Sequence, residues 1–151
     1  MPLVPIKLLF IEDSPHDAEL ALLALERNGL AVDSTLVYDH EAAERALTNE
    51  RFDLIVSDYL LPGSSGAQAL EVARRLAPQT PFIFLSGMFG EEHAVEMMRL
   101  GAVDYVLKQN LPFLPKAIDR AMAEVNEREQ RRRVEDLSLI HISEPTRQAE
   151  I

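Results

Sequence analysis

Five short apolar runs, each followed by a segment with helical spacing, set the strongest limit on what this chain can become. Lys7-Leu-Leu-Phe-Ile11 is too short for a helix and suits a buried strand. Ser14 then offers an N-cap, Pro15 fits the first helical position, and Asp17 completes a capping-box-like pattern. Leu20, Leu22, Leu23 and Leu25 recur at helical spacing up to the stop at Gly29. Val32 to Tyr38 reads as a weaker strand, and a helix from about His40 to Glu50 carries Ala42, Ala43, Ala46 and Leu47 on one face. Asp53 to Ser57 is a third strand ending at Asp58. A turn over Leu61–Gly66 then leads to a helix bearing Leu70, Ala73 and Leu76.

Pro81 to Leu85 is a fourth strand ending at Ser86-Gly87. The helix over Glu91–Leu100 is expected to turn Ala94, Met97 and Met98 inward, with Gly101 past its end. Val103 to Leu107 is a fifth strand followed by Lys108, and a last helix runs from about Pro112 toward Arg133. Strands alternating with helices imply right-handed crossovers and a doubly wound α/β domain, its parallel sheet covered on both faces. Ligands of such sheets bind beyond the carboxyl ends of the strands.

That rule selects the candidate chemistry. Glu12 and Asp13 follow the first strand, Asp58 the third, Ser86 the fourth and Lys108 the fifth. Three carboxylates then converge on one edge, and like charges so close cost several kcal/mol unless neutralised. A hard cation such as Mg²⁺ suits an all-oxygen site. A carboxylate flanked by Mg²⁺ and a lysine is a competent nucleophile toward a phosphoryl group, and a Ser hydroxyl could donate to a transferring oxygen. His16, His40 and His93 fall on separate helices and suggest no metal cluster.

Charge and composition remove other classes. With 25 Asp+Glu against 15 Lys+Arg, a formal charge of -10 argues against nonspecific binding to nucleic acid or an anionic membrane. The absence of cysteine excludes disulfides, thiolate metal sites and Cys nucleophiles. The apolar runs are too short to span a bilayer, and the N-terminus lacks a signal-peptide pattern, so a cytoplasmic location is expected.

The pieces LLFIED at 8–13, DLIVSDYLLPGSSG at 53–66, PFIFLSG at 81–87 and GAVDYVLK at 101–108 together resemble the response-regulator receiver family of two-component signalling. The resemblance covers roughly 6–123 and implies a flavodoxin-like (βα)5 fold with strand order 2-1-3-4-5. It implies that Asp58 is the phosphoacceptor and that Mg²⁺ is held by Glu12, Asp13, Asp58 and the backbone carbonyl of Leu60. It implies that Ser86 and Lys108 bind phosphate and that Tyr105 is the switching aromatic. The implied partners are a histidine kinase or histidine phosphotransfer protein, with a homodimer through the face built by the fourth helix, fifth strand and fifth helix. The domain would accept a phosphoryl group and lose it slowly, without turnover.

Two positions depart from the common pattern. Glu12 replaces the more frequent Asp, and Gln109 follows Lys108 where many members carry a cis proline. A cis non-proline bond costs about 2.5–4 kcal/mol, so a trans bond is the cheaper and leaves the geometry of the Lys108 loop open. Three rival readings share part of this pattern. An aspartyl-phosphate phosphatase of the haloacid-dehalogenase kind would carry its nucleophile on the first strand and a second acid two residues on; here Leu60 stands two after Asp58. A flavin carrier would need a phosphate loop after the first strand, where Glu12, Asp13 and Asp17 repel phosphate. An interaction module independent of phosphorylation would not need the intact acid set and Lys108.

The segment 124–136 reads as a helical extension or a linker to a further signalling module, such as a sensor, cyclic-dinucleotide or kinase domain. The apolar stripe of Ile118, Ala121, Met122 and Val125 fades beyond Val125, which weakens a coiled-coil reading. Residues Leu137 to Arg147 read LSLIHISEPTR, which resembles the in-frame translation of a transposase sequencing adapter, and 148–151 continue the match as adapter end and index. The tail 137–151 is therefore set aside from fold reasoning, and the natural chain is expected to be interrupted near Asp136.

Overall fold

The computed structural model describes residues 4–61, 63–87 and 91–143. Pro62 of the expected turn and the tail end, 144–151, lie outside the described residues. The five main strands are β1 (Ile6–Ile11), β2 (Val32–Val37), β3 (Leu54–Ser57), β4 (Phe82–Ser86) and β5 (Asp104–Leu107). The helices are α1 (Pro15–Arg27), α2 (His40–Asn49), α3 (Gly66–Leu76), α4 (Glu91–Leu100) and α5 (Phe113–Ser143). The sheet order is β2-β1-β3-β4-β5 with every pairing parallel, as the alternation and the resemblance imply.

Because both sheet faces are covered, the inner strands are apolar at successive positions and alternate between two cores. Leu9, Ile11, Ile55, Phe82 and Phe84 pack with Ala43, Leu47, Ala69, Leu70, Ala73 and Met97, from α2, α3 and α4. Leu8, Phe10, Leu54, Val56, Ile83 and Leu85 pack with Ala21, Leu25, Leu114, Ile118 and Ala121, from α1 and α5. The edge strand β2 is only partly buried, which explains its weaker signal in the sequence.

Four details differ from the sequence reading. Leu20 and Leu23 are exposed, because α1 turns Ala18, Ala21 and Leu25 inward and carries leucines all round. Met98 is exposed while Ala94 and Met97 are buried: on a short helix, a position adjacent to the buried stripe points 100° away from it. The turn after Asp58 contains a two-residue antiparallel pairing, Leu60–Leu61 with Ser64–Ser65, too short to carry a period. A 3₁₀ turn over Lys108–Asn110 precedes α5, and α5 runs on as one helix to Ser143, beyond the end at 136 expected for the helical extension.

Candidate functional site

Backbone pairing brings the acids together. The Glu12 N–H donates to the Val37 carbonyl and the Asp58 N–H to the Ile11 carbonyl, both at 2.9 Å, so the ends of β1, β2 and β3 are pinned side by side. Ser57, just before Asp58, is buried, and its hydroxyl donates to the Asp58 carbonyl oxygen at 2.8 Å. The loop beyond Asp58 is held by its contact with α3. The Gly66 N–H donates to the Tyr59 carbonyl at 2.6 Å. A Cβ at Gly66 would lie 2.5 Å from Phe84 Cε1, 2.6 Å from the Asp58 carbonyl oxygen and 2.7 Å from Tyr59 Cα. Glycine is required there by close approach and not by backbone sign.

The candidate nucleophile sits at the centre. Asp58 is 6 % exposed; its Oδ1 accepts from the Leu60 N–H at 3.3 Å and its Oδ2 from Lys108 Nζ at 2.9 Å. Glu12 is fully buried and Asp13 is exposed at the rim. The Lys108 ammonium forms ion pairs with Glu12 Oε1 at 2.7 Å, Asp17 Oδ2 at 2.7 Å and Asp58 Oδ2 at 2.9 Å. Burial pushes the Glu12 carboxyl up to about 7, against the opposing pull of Lys108, and the Asp58 charge adds to the rise. The three carboxylates raise Lys108 above its ordinary value, although burial alone would lower it.

Glu12, Asp13 and Asp58 each present an oxygen within 4.8 Å of the others. Glu12 Oε1 is buried, and its neighbour is the Lys108 ammonium 2.7 Å away. Three converging carboxylates, two of them buried, fit a hard divalent cation such as Mg²⁺.

Ser86 is fully buried at the end of β4, where it pairs in register with Leu107, the residue before Lys108. Tyr105 lies two rungs back on β5 beside Phe84, half-buried against the α2–α3–α4 core. All described peptide bonds are trans, Lys108–Gln109 included, and the 3₁₀ turn still delivers the lysine to the acids. His16, His40 and His93 do not join the acidic cluster. His93 packs edge-on against Tyr59 at 5.7 Å between centroids, and Tyr59 against Phe84 at 5.9 Å.

The sequence pattern explains Asp17 as a helix start and as one of three acids that repel phosphate, and does not join it to Lys108. Ser14 Oγ does accept from the Asp17 N–H at 3.2 Å, but the reciprocal half of the box is not made by Asp17. Glu12 Oε2 accepts from the Ser14 N–H at 3.2 Å instead, and the Asp17 carboxylate turns to Lys108. Its place in the first turn after β1, on the carboxyl edge of the sheet, was the available signal.

The family profile of the response regulator receiver domain matches residues 8–119. The chain belongs to that family. This receiver domain is 32% identical over 114 residues to the phosphate regulon transcriptional regulatory protein PhoB of Klebsiella pneumoniae, with 74% of this chain and 48% of that protein covered. It is 36% identical over 115 residues to the response regulator protein FleR of Pseudomonas aeruginosa, with 74% and 23% covered. The chain thus spans less than half the length of these relatives. Among solved structures it is similar to the receiver domain of a signal transduction histidine kinase from Syntrophus aciditrophicus, at TM-score 0.68 and 28% identity, covering 80% of this chain and 92% of that one. The receiver domain of a LuxO-type repressor from Vibrio parahaemolyticus superposes at TM-score 0.75 and 21% identity, over 84% and 97% of the two chains, a likeness of fold alone. Receiver domains are signalling domains of two-component systems, and the acid cluster described above fits the family's Mg²⁺ site. Among the described residues no helix is long and apolar enough to cross a membrane.

Proposed function

We propose that this receiver domain takes a phosphoryl group onto Asp58 from a histidine kinase or a histidine phosphotransfer protein. The observation that carries the reading is the placement of Asp58, buried at the meeting point of the acid pair and the Lys108 ammonium. An Asp58 oxygen bonds to phosphorus as the donor's phosphorus–nitrogen bond breaks, and the imidazole keeps the electron pair. Lys108, 2.9 Å from Asp58, is placed to donate to a phosphoryl oxygen. Ser86, at the end of the neighbouring strand, donates to another phosphoryl oxygen in this reading. Glu12, Asp13, Asp58 and the Leu60 carbonyl are the proposed Mg²⁺ ligands, and the ion when bound offsets charge on the transferring oxygens.

The proposed readout is the face of α4, β5 and α5. Drawing the Ser86 hydroxyl toward a phosphoryl oxygen vacates space that the Tyr105 ring can take, which turns a charge event into a packing change. That face is then presented to a second copy or a partner domain. The domain holds its phosphoryl group and loses it slowly, in contrast to a phosphatase, and acts in the cytoplasm without binding nucleic acid or membrane through this segment. Residues 6–123 form the domain, 124–136 are a helical extension or a linker to a further module, and 137–151 take no part.

Incubation with acetyl phosphate and Mg²⁺ followed by mass mapping tests the reading. Stoichiometric label on Asp58, absent from Asp58→Asn, supports it. Catalytic release of phosphate, label persisting in Asp58→Asn, or no label at all overturns it.

A further inference from the structure

Lys108 has three ammonium protons and three carboxylate neighbours. Two of the neighbours, Glu12 and Asp58, belong to the set of three acids that can share a cation. Asp17 does not. It reaches Lys108 from the first turn of α1, across the carboxyl edge of the sheet from β5. An anion at that place does two things to a phosphoryl group arriving at Asp58. It occupies a donor that the incoming oxygens need, and it adds a like charge beside them.

Of the three contacts, the one to Asp17 is the easiest to surrender. Glu12 and Asp58 have side chains only 1% and 8% exposed and cannot be rehydrated in place. Asp17 is 37% exposed, so water can take over its oxygens when Lys108 leaves. Its backbone N–H, not its carboxylate, makes the helix cap, so turning the carboxylate to Lys108 breaks no cap bond of α1.

We infer that Asp17 is a positioning residue that holds Lys108 in the resting domain and competes with the phosphoryl group for it, setting how readily Asp58 is phosphorylated. The inference rests on the phosphoacceptor reading above and concerns the regulation of that same site. In the reaction with acetyl phosphate, an Asp58 oxygen bonds to phosphorus and the phosphorus–oxygen bond to the acyl group breaks. Acetate leaves with the electron pair, and no proton or oxidant is required. Lys108 must move part of its hydrogen bonding from Asp17 to the phosphoryl oxygens as the charge passes over.

The experiment measures the initial rate of Asp58 labelling by acetyl phosphate with saturating Mg²⁺, across ionic strength, for the full chain and for Asp17→Asn, Asp17→Ser and Asp17→Glu. The two neutral variants should label up to about fivefold faster at low salt, the scale of one partly exposed ion pair. The gap should narrow as salt screens the Asp17 charge. Asp17→Glu, which keeps the charge, should label near the parent rate. Beryllofluoride binding by calorimetry should tighten by a similar factor in the neutral variants, independently of any leaving group. A rate and affinity unchanged or lowered in both neutral variants overturns the inference, as does a charge-retaining variant that behaves like them. A parent chain that takes no label, or label that survives Asp58→Asn, removes the phosphoacceptor reading itself and this inference with it. The two failures are therefore distinguishable.

Discussion

Replacing Lys108 by methionine removes the one cation that three carboxylates share while keeping the length of the side chain. Asp17 can return to water, but Glu12 and Asp58 stay buried, with side chains only 1% and 8% exposed. Removing one partner of a buried pair costs about 3–5 kcal/mol, because the remaining charge keeps its desolvation penalty. The lower end applies here, since Glu12 can take up a proton: about 3 kcal/mol, or roughly 10 °C in melting temperature for a domain of this size. The pH dependence follows from Glu12. Its folded value is raised from 4.5 to about 7, so the folded protein binds a proton that the unfolded chain releases. That contribution to stability is fully present below about 4.5 and is lost as the pH rises through about 7. Loss of Lys108 raises Glu12 further, so the deficit of the variant should be largest near pH 8 and smaller near pH 5.5, both roughly chosen to flank the titration. Calorimetric melting in chelator at both values measures it, and added Mg²⁺ should recover part of the loss. A variant that melts with the parent near pH 8, or a deficit independent of pH, would refute the view of Lys108 as the internal counter-ion.

Gly66→Ala should lower stability by about 2 kcal/mol or more, since its Cβ meets backbone at the Asp58 carbonyl and Tyr59 Cα; denaturant unfolding measures it, and an unchanged midpoint would contradict the close approach. Asp13→Ala should abolish Mg²⁺-dependent labelling of Asp58 with the fold intact, read by labelling and circular dichroism together. In the beryllofluoride complex, amide shifts should extend along Met97 to Tyr105; changes confined to the loops at Asp58 would disprove the aromatic switch. Truncation after Asp136 should leave melting and labelling unchanged, and a drop of several degrees would mean that 137–151 stabilise the fold.

The sheet was legible because its inner strands are buried on both faces, so Leu8 to Ile11 and Phe82 to Leu85 appear as uninterrupted apolar runs. The site residues were legible as strand ends, since a parallel sheet delivers every carboxyl end to the same edge. Helix facing was harder: α1 has leucine at 20, 22, 23 and 25, and periodicity does not say which stripe meets the sheet. The choice falls to Ala18 and Ala21, whose small side chains permit close approach. Asp17 escaped for a related reason. A capping pattern explains an acid at that position locally, while its partner lies 91 residues away.

The division of each inner strand between two cores has an evolutionary consequence. Leu8 and Phe10 answer to one set of helices, Leu9 and Ile11 to the other, so no position in that run is neutral. Every helix, in contrast, keeps an outer surface that no part of the core reads. Drift and selection for recognition are thereby directed to those surfaces, exemplified by Leu20, Leu23, Val95 and Met98. Paralogous copies in one cell can keep the same interior and the same acid edge while diverging in whom they meet. Insulation between parallel signalling channels then requires changes only on ground the fold leaves unused.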